Sequence, residues 1–469
     1  MSSSELYRWM IVAGLVLAAT LAAFLVFGFI LDTCSFASAV CLSILASLPG
    51  TTRKRLEQYS TPILLTFILI FMALGAFLVC NSTAMPATRW MNIYDFDDFK
   101  TVRNVVDYLA NLRVPIPPLI SIAEIADHML FGSSDLVTKL LYRESLVCMY
   151  VAAMLLAFPS PSRLIISFLA SIVFLWGTVV VHPGNPMIYD VLFPFFALGA
   201  ILLLKLVRSR SFMTPGRQIA LCLMAGLLLS FAELSRPFFL IILPVILVGM
   251  YLFLRKTDRR LFIALAIPLL LFSGTWHMNM LLRHHQLLWT NQSGVNLYRA
   301  WPRTELPALI TEVNDQPIKP NRWRNSNTQE RYENSRLLQR AVARHIISHP
   351  WSSVCYAGKR ISAVVNPKTS IYEHDPANPI LAVYRPVGLL LSAFLLLNVV
   401  LVLLYALLAG KRCLEIIALP NNMIIITGGL SLLILALGEI HEEARLLISV
   451  LPFIATCAIA SRLDTDDAP

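Results

Sequence analysis

The sequence predicts an all-α polytopic membrane protein, a bundle of about twelve transmembrane helices. Three observations carry that expectation. Apolar residues make up 57% of the chain and its mean hydropathy is +0.68, whereas soluble domains hold about 45–50% apolar residues. Apolar runs of roughly 20 residues, the length that crosses hydrocarbon as a helix, recur along the whole sequence. Basic residues cluster in alternate short loops between those runs, the pattern of cytoplasmic loops.

In chain order the expected spans are Met10–Leu31, a weak Cys34–Leu48 that also fits a re-entrant segment, Pro62–Cys80, Glu144–Phe158, Leu164–Val181 and Ile188–Val207. Ile219–Leu234, Phe238–Leu254, Leu261–Met280, Val387–Leu408, Met423–Leu437 and Leu446–Ala460 complete the set. Met10–Leu31 is too long for a signal-peptide core and reads as a retained anchor. The net charge of +10 orients the protein and does not point to nucleic acid. Arg53-Lys54-Arg55, Arg163, Lys205/Arg208/Arg210, Arg255-Lys256 with Arg259-Arg260, and Lys411-Arg412 mark the cytoplasmic side, together with both termini. The eight cysteines show no metal spacing. Cys80 and Cys355 are the one pair expected outside, where a bridge is open to them.

Polar segments facing the other compartment are Asn81–Arg143, His182–Asp190, Arg283–Arg385 and Gly438–Arg445, with a tight "ELSRP" turn at Glu233–Pro237. In the first of these, Phe96, Phe99, Val102, Val106, Leu109 and Leu112 recur at helical steps, with Asp95 or Asp97 as N-cap. Such a helix lies in the membrane interface. "VPIPPL" ends it and a second apolar helix comes next, about Ile120–Phe131. The long Arg283–Arg385 segment carries an amphipathic helix, "TQERYENSRLLQRAVARHIISH", stopped by "HPW" at His349–Trp351.

Acidic residues away from the cytoplasm gather in these outer segments, and ionisable groups at a membrane edge mark function by default. Asp95, Asp97 and Asp98 fall within four positions. Like charges raise one another's pKa, which suits a general base. The same oxygens suit a hard divalent cation, and helix capping alone is the structural alternative. Asp190, at the start of a span, either caps its helix or orients a substrate. Arg236 in "SRPF" either snorkels or grips phosphate with its fork. "GEIHEEARLL" adds Glu439, Glu442, Glu443 and Arg445, and "WHMNMLLRHH" adds Arg283, His284 and His285, whose adjacent imidazoles diverge on a helix. No Walker loop, GxGxxG, GxSxG or HExxH occurs, so an enzyme here would draw its energy from an activated substrate.

Four stretches, in this order and sidedness, resemble the GT-C superfamily of membrane glycosyltransferases, which includes protein O-mannosyltransferases and lipid A aminoarabinose transferases. They are "YDFDDFKTVRNVVDYLANLRVPIPPL" with "FGSSD", "NPMIYDVLFPFF", "MNMLLRHHQLLWTNQSGVNLYRAW" with its Gly-x-Asn-Leu core, and "HEEARLLISVLPFIA". The likeness runs from about Pro62 to Ala460. The family's usual Asp-Glu pair of the first loop is replaced, so Asp97-Asp98 or Asp95 fills that role. The implied organisation is an extra transmembrane hairpin and basic loop (1–61), a GT-C-like core (62–282), an external subdomain (283–385), and terminal helices with a cytoplasmic tail (386–469).

The resemblance implies a bacterial inner-membrane enzyme with its active site facing the periplasm. It would move a sugar from a polyprenyl-phosphate donor to a lipid, glycan or protein acceptor. Asp95, Asp97, Asp98 and Asp190 would be catalytic, and Arg236, Arg445 and Arg283 would bind the donor phosphate. Asp97, Asp190 and Glu442 would hold a divalent cation where one is used. A polysaccharide polymerase or ligase acting on polyprenyl-linked glycans, or a lipid or solute transporter, are the alternatives. A cysteine placed beside Asp97 should label with a membrane-impermeant thiol reagent added from outside; labelling from the cytoplasm alone would reverse the topology.

Overall fold

The computed structural model describes residues 118–119, 188–209, 214–255, 258–285, 287, 294, 297–298, 301, 328–365, 379–438 and 449–459. Among these residues the chain is all-helical, with no strand, and four helices are long and apolar enough to cross a membrane. The spans expected from Met10 to Val181, and the interfacial helix from Phe96, lie outside the described residues.

The first bundle is built from α1 (Ile188–Ser209), α2 (Pro215–Ser235) and α3 (Phe239–Leu254). Then α4 (Arg259–Leu269) runs through a π turn (Leu270–Gly274) into α5 (Thr275–His284). Pro215 opens α2 at a position whose N–H needs no partner. Asp258 caps α4, its carboxylate accepting from Arg260 N–H at 2.9 Å. Pro237 forces the preceding Arg236 into extended backbone (φ −142°, ψ 118°), which ends α2. Pro268, near the end of α4, lacks the N–H of a regular ladder, and the π turn begins two residues later.

α1 and α2 run antiparallel. Phe196 meets Phe231 edge-to-face at 5.5 Å, while Gln218 donates to the Val207 carbonyl at 3.4 Å near the opposite end. α2 and α4–α5 run parallel, because rising positions on one meet rising positions on the other. A Cβ on Gly226 would lie 2.0 Å from the Leu265 carbonyl oxygen. One turn on, Ser230 Oγ donates to the Pro268 carbonyl at 3.2 Å. Small residues and hydroxyls at such a crossing are how apolar helices come close without leaving backbone groups unmet.

The second group comprises α8 (Pro379–Leu408), the short α9 (Cys413–Ile417), α10 (Pro420–Gly438) and α11 (Leu451–Ile459). α8 begins two turns before the expected Val387, carrying Arg385 and Pro386 within the helix. α10 is the hub of this half, packing on α1, α3, α8 and α11. Gly428 sits under Phe453, and Gly429 under Val399. Phe193 of α1 joins the two groups, touching Phe238 (5.0 Å), Phe239 (5.2 Å) and Phe453 (5.9 Å). Outward-facing side chains on these helices include Ile241, Leu270, Leu407 and Leu408, the apolar exterior that a helix in lipid presents.

The "HPW" signal is a kink with another helix immediately after it. α6 (Thr328–Ser348) gives way to α7 (Pro350–Val365), with Pro350 again at an opening position. Backbone bonds from His349 N–H to His345 O (2.9 Å) and from Ser353 N–H to His349 O (3.0 Å) carry helical bonding across the break. A small core forms where Tyr298 and Trp301 pack on Leu338, Ala341 and Val342 of α6. Gly294 closes that contact: its N–H donates to Ser335 Oγ at 2.9 Å, and a Cβ there would lie 1.9 Å from the Ser335 carbonyl. Cys355 is a free thiol on an exposed face of α7, and Cys80 lies outside the described residues.

Gly226→Ala should destabilise the chain in detergent by about 1–3 kcal/mol, the cost of an overpacked contact. Gly216→Ala, whose Cβ would meet nothing within 4 Å, should leave the thermal midpoint unchanged. Equal midpoints for both variants would show that the α2–α4 approach is not close.

Candidate functional site

Where α2 ends beside α5, three polar side chains from separate turns meet inside the bundle. Glu233, in the last turn of α2, is fully buried. Its Oε2 accepts from Ser273 Oγ of the π turn at 2.6 Å. Its Oε1 lies 2.8 Å from His277 Nε2 of α5. The other imidazole nitrogen, Nδ1, meets the Leu287 carbonyl. Leu287 reaches that position because His285 closes α5 in the left-handed region (φ 53°) and turns the chain back.

The partners fix the proton count. A carbonyl oxygen only accepts, so His277 Nδ1 carries a proton. Nε2 then either holds a second proton and donates to a carboxylate, or is bare and accepts from a protonated carboxyl. In both states one proton lies between Oε1 and Nε2, and Glu233 with His277 carries no net charge. A neutral, fully hydrogen-bonded unit is what burial of such groups demands.

The π turn contributes directly to this arrangement. A π turn inserts one residue into the helix and rotates the turns beyond it, and Ser273 lies within the inserted turn, four residues before His277. Both therefore lie on one side of the rod, and both meet Glu233.

Arg236 stands one turn past Glu233, as the residue that ends α2. Its side chain is only 5% exposed, and its guanidinium carbon lies 6.0 Å from the Phe238 ring centre, within reach of a cation–π contact. Glu233 and Arg236 are the only Asp, Glu, Lys or Arg side chains buried among the described residues.

Of the residues singled out in the sequence, Asp190 is the third residue of α1, one turn before Phe193. Because Phe193 touches Phe238, the start of α1 and the Arg236 turn share one end of the bundle. Arg283 falls in the last turn of α5, which reaches the same end through the parallel run of α2 and α5. Asp95, Asp97, Asp98, Glu442 and Arg445 lie outside the described residues. Among the described residues no three His, Cys, Asp or Glu side chains are arranged to hold a metal ion.

Glu233, Ser273 and His277 were not singled out as site residues from the sequence. The available signal was an acid embedded in "LLLSFAELS" and a histidine inside the span that precedes "LLRHH", each an ionisable group within an apolar run.

These features define a helical protein with four candidate membrane spans and a buried Glu–His–Ser cluster beside a buried arginine at one end. No family model, curated protein or solved structure matches the chain.

Glu233→Ala should cost about 3–5 kcal/mol, the range for breaking a buried pair from one side. Glu233→Gln should cost far less, since its amide accepts from Ser273 and donates to a bare Nε2. Thermal unfolding in detergent reads both, and equal losses would refute the shared-proton arrangement.

Proposed function

We propose that the chain is a GT-C-like glycosyltransferase of a bacterial inner membrane, with about twelve spans. It transfers a sugar from a polyprenyl-phosphate donor to a lipid, glycan or protein acceptor at the periplasmic face. The observation that carries this reading is Arg236: a guanidinium buried at the end of the bundle where α1 begins, with Asp190 in its first turn, in a chain with no nucleotide-binding loop. An arginine in an apolar setting grips a phosphate far more strongly than one in water.

One of Asp95, Asp97 and Asp98 takes the proton of the acceptor hydroxyl. The freed oxygen attacks the anomeric carbon, the bond from that carbon to the phosphate oxygen breaks, and polyprenyl phosphate leaves. Arg236, with Arg283 and Arg445, offsets the negative charge gathering on the departing phosphate. Asp190 orients the acceptor, and with Asp97 and Glu442 it forms the oxygen set that a divalent cation would take.

A second reading draws on a different observation. One proton held between Glu233 and His277 inside a candidate span is the kind of group that relays protons in transporters. Proton-coupled movement of a lipid or solute would then replace sugar transfer.

Membranes carrying the wild-type chain should transfer label from polyprenyl-phosphate sugars. Arg236→Gln should lower that rate about a hundredfold or more, and Arg236→Lys should restore it only in part. The triple variant Asp95→Asn, Asp97→Asn, Asp98→Asn should be inactive, and a chelator tests the cation. Full transfer by the triple variant would remove the base. Absence of transfer by wild type, with proton-driven uptake lost in Glu233→Gln, would establish the transporter.

A further inference from the structure

The outer helices α6 and α7 carry a stripe that the sugar-transfer reading does not use. Arg336, Arg340, Arg344, Ile347, Trp351 and Val354 succeed one another at steps of three and four, and all are exposed. The backbone bonds around His349 hold helical register through the kink, so these positions form one continuous face. It is basic through most of α6 and turns apolar from Ile347, at the end of α6, into α7. Ile347, Trp351 and Val354 are 79%, 78% and 62% exposed, and as neighbours on one face they form a patch of the kind that marks a contact with a membrane or a protein. Glu333, one turn before Arg336, is the acid on this face against three bases among the described side chains.

The opposite face is already occupied. Leu338, Ala341 and Val342 are covered by Tyr298 and Trp301, and Tyr356 of α7 lies 5.4 Å from Trp301. Both ends of the helix pair are tied to the bundle. Tyr332, near the start of α6, packs with Met280 and Trp276 of α5, and burial pushes its phenol above its ordinary range. Near the end of α7, Arg360 Nε donates to the Ala436 carbonyl in the last turn of α10 at 3.2 Å, and Ile361 joins the main core. The pair thus bridges α5 to α10 across the end of the bundle and does not stand away from it.

We propose that this stripe rests on the bilayer surface at that end, with Arg336, Arg340 and Arg344 on anionic headgroups and Ile347, Trp351 and Val354 among the upper acyl chains. The chemistry matches that depth. Tryptophan prefers the boundary between headgroup and hydrocarbon, and arginine is drawn to an anionic leaflet. Because both ends of the helix pair are tied to candidate spans, its height above the bundle is fixed at the level where those spans end. The assignment stands apart from any reaction the protein performs.

The test uses the full chain in vesicles of phosphatidylcholine and phosphatidylglycerol, with the emission of Trp351 isolated as the difference between wild type and Trp351→Phe. Bromine on the upper acyl chain of either lipid should quench that emission, and iodide in the water should not. Brominated phosphatidylglycerol should quench more than brominated phosphatidylcholine at equal content, and Arg336→Gln, Arg340→Gln, Arg344→Gln together should abolish that preference. Quenching by iodide instead would place the face in water. Quenching by neither would mean that protein, such as a second copy of this chain, covers it. Equal quenching by the two lipids in wild type would overturn the anionic contact.

Discussion

The close, parallel packing of α2 against α4–α5 is the constraint on which the rest of this end of the molecule depends. Two helices in that relation must be separated in sequence by a third that reverses direction, which is the role of α3. They must also satisfy any polar group trapped between them. The seam answers both needs in ascending order: Gly226 removes the side chain where backbones nearly touch, Ser230 meets the Pro268 carbonyl, and Glu233 meets Ser273 and His277. The π turn makes the last step possible. Without its extra residue, the side chains of α5 would be rotated away from the position that now faces Glu233.

That seam also controls the way out of the bundle. His277 binds Glu233 with one nitrogen and the Leu287 carbonyl with the other, so the end of α2 and the backbone beyond α5 are tied through one imidazole. From Leu287 the chain continues to Gly294, which rests against Ser335, and to Tyr298 and Trp301, which cover the apolar face of α6. The buried pair and the core of the outer helices are thus joined by one short stretch of chain.

Hydropathy made the helices legible, because covering an apolar helix in lipid requires long runs that few other folds need. Ile188–Val207, Phe238–Leu254 and Met423–Leu437 were expected within a few residues of α1, α3 and α10. The turn at Pro237 was also legible, since a proline restricts the residue before it. Partnerships were not. Glu233 read as one letter of a turn because its burial depends on Ser273 and His277, 40 and 44 positions later. His284 and His285 drew attention by adjacency, whereas His277 is the histidine inside the bundle. Gly294 stood out as part of a motif, but the reason for a glycine there is the Ser335 carbonyl, which no local pattern reveals. The "HPW" signal marked a break correctly and concealed a restart, because proline is as welcome at the first position of a helix as it is unwelcome in the middle.

The position of the Glu–His pair along its helices bears on which chemistry it serves. Transporter sites that alternate between two sides lie near the middle of the membrane, commonly where helices are unwound. Glu233 is two residues from the end of α2, and the candidate span containing His277 closes at Leu282. At a rise of about 1.5 Å per residue, both groups lie within two turns of one end and nearer to it than to the midpoint. The π turn does not unwind the rod into a break open to both sides; it continues into α5. A buried, hydrogen-bonded unit at that depth ties the ends of α2 and α5 together and is poorly placed to pass a proton across the bundle. Its neighbour Arg236 is buried at the same end of the bundle. That placement argues against alternating access through the bundle, the second of the two proposed readings.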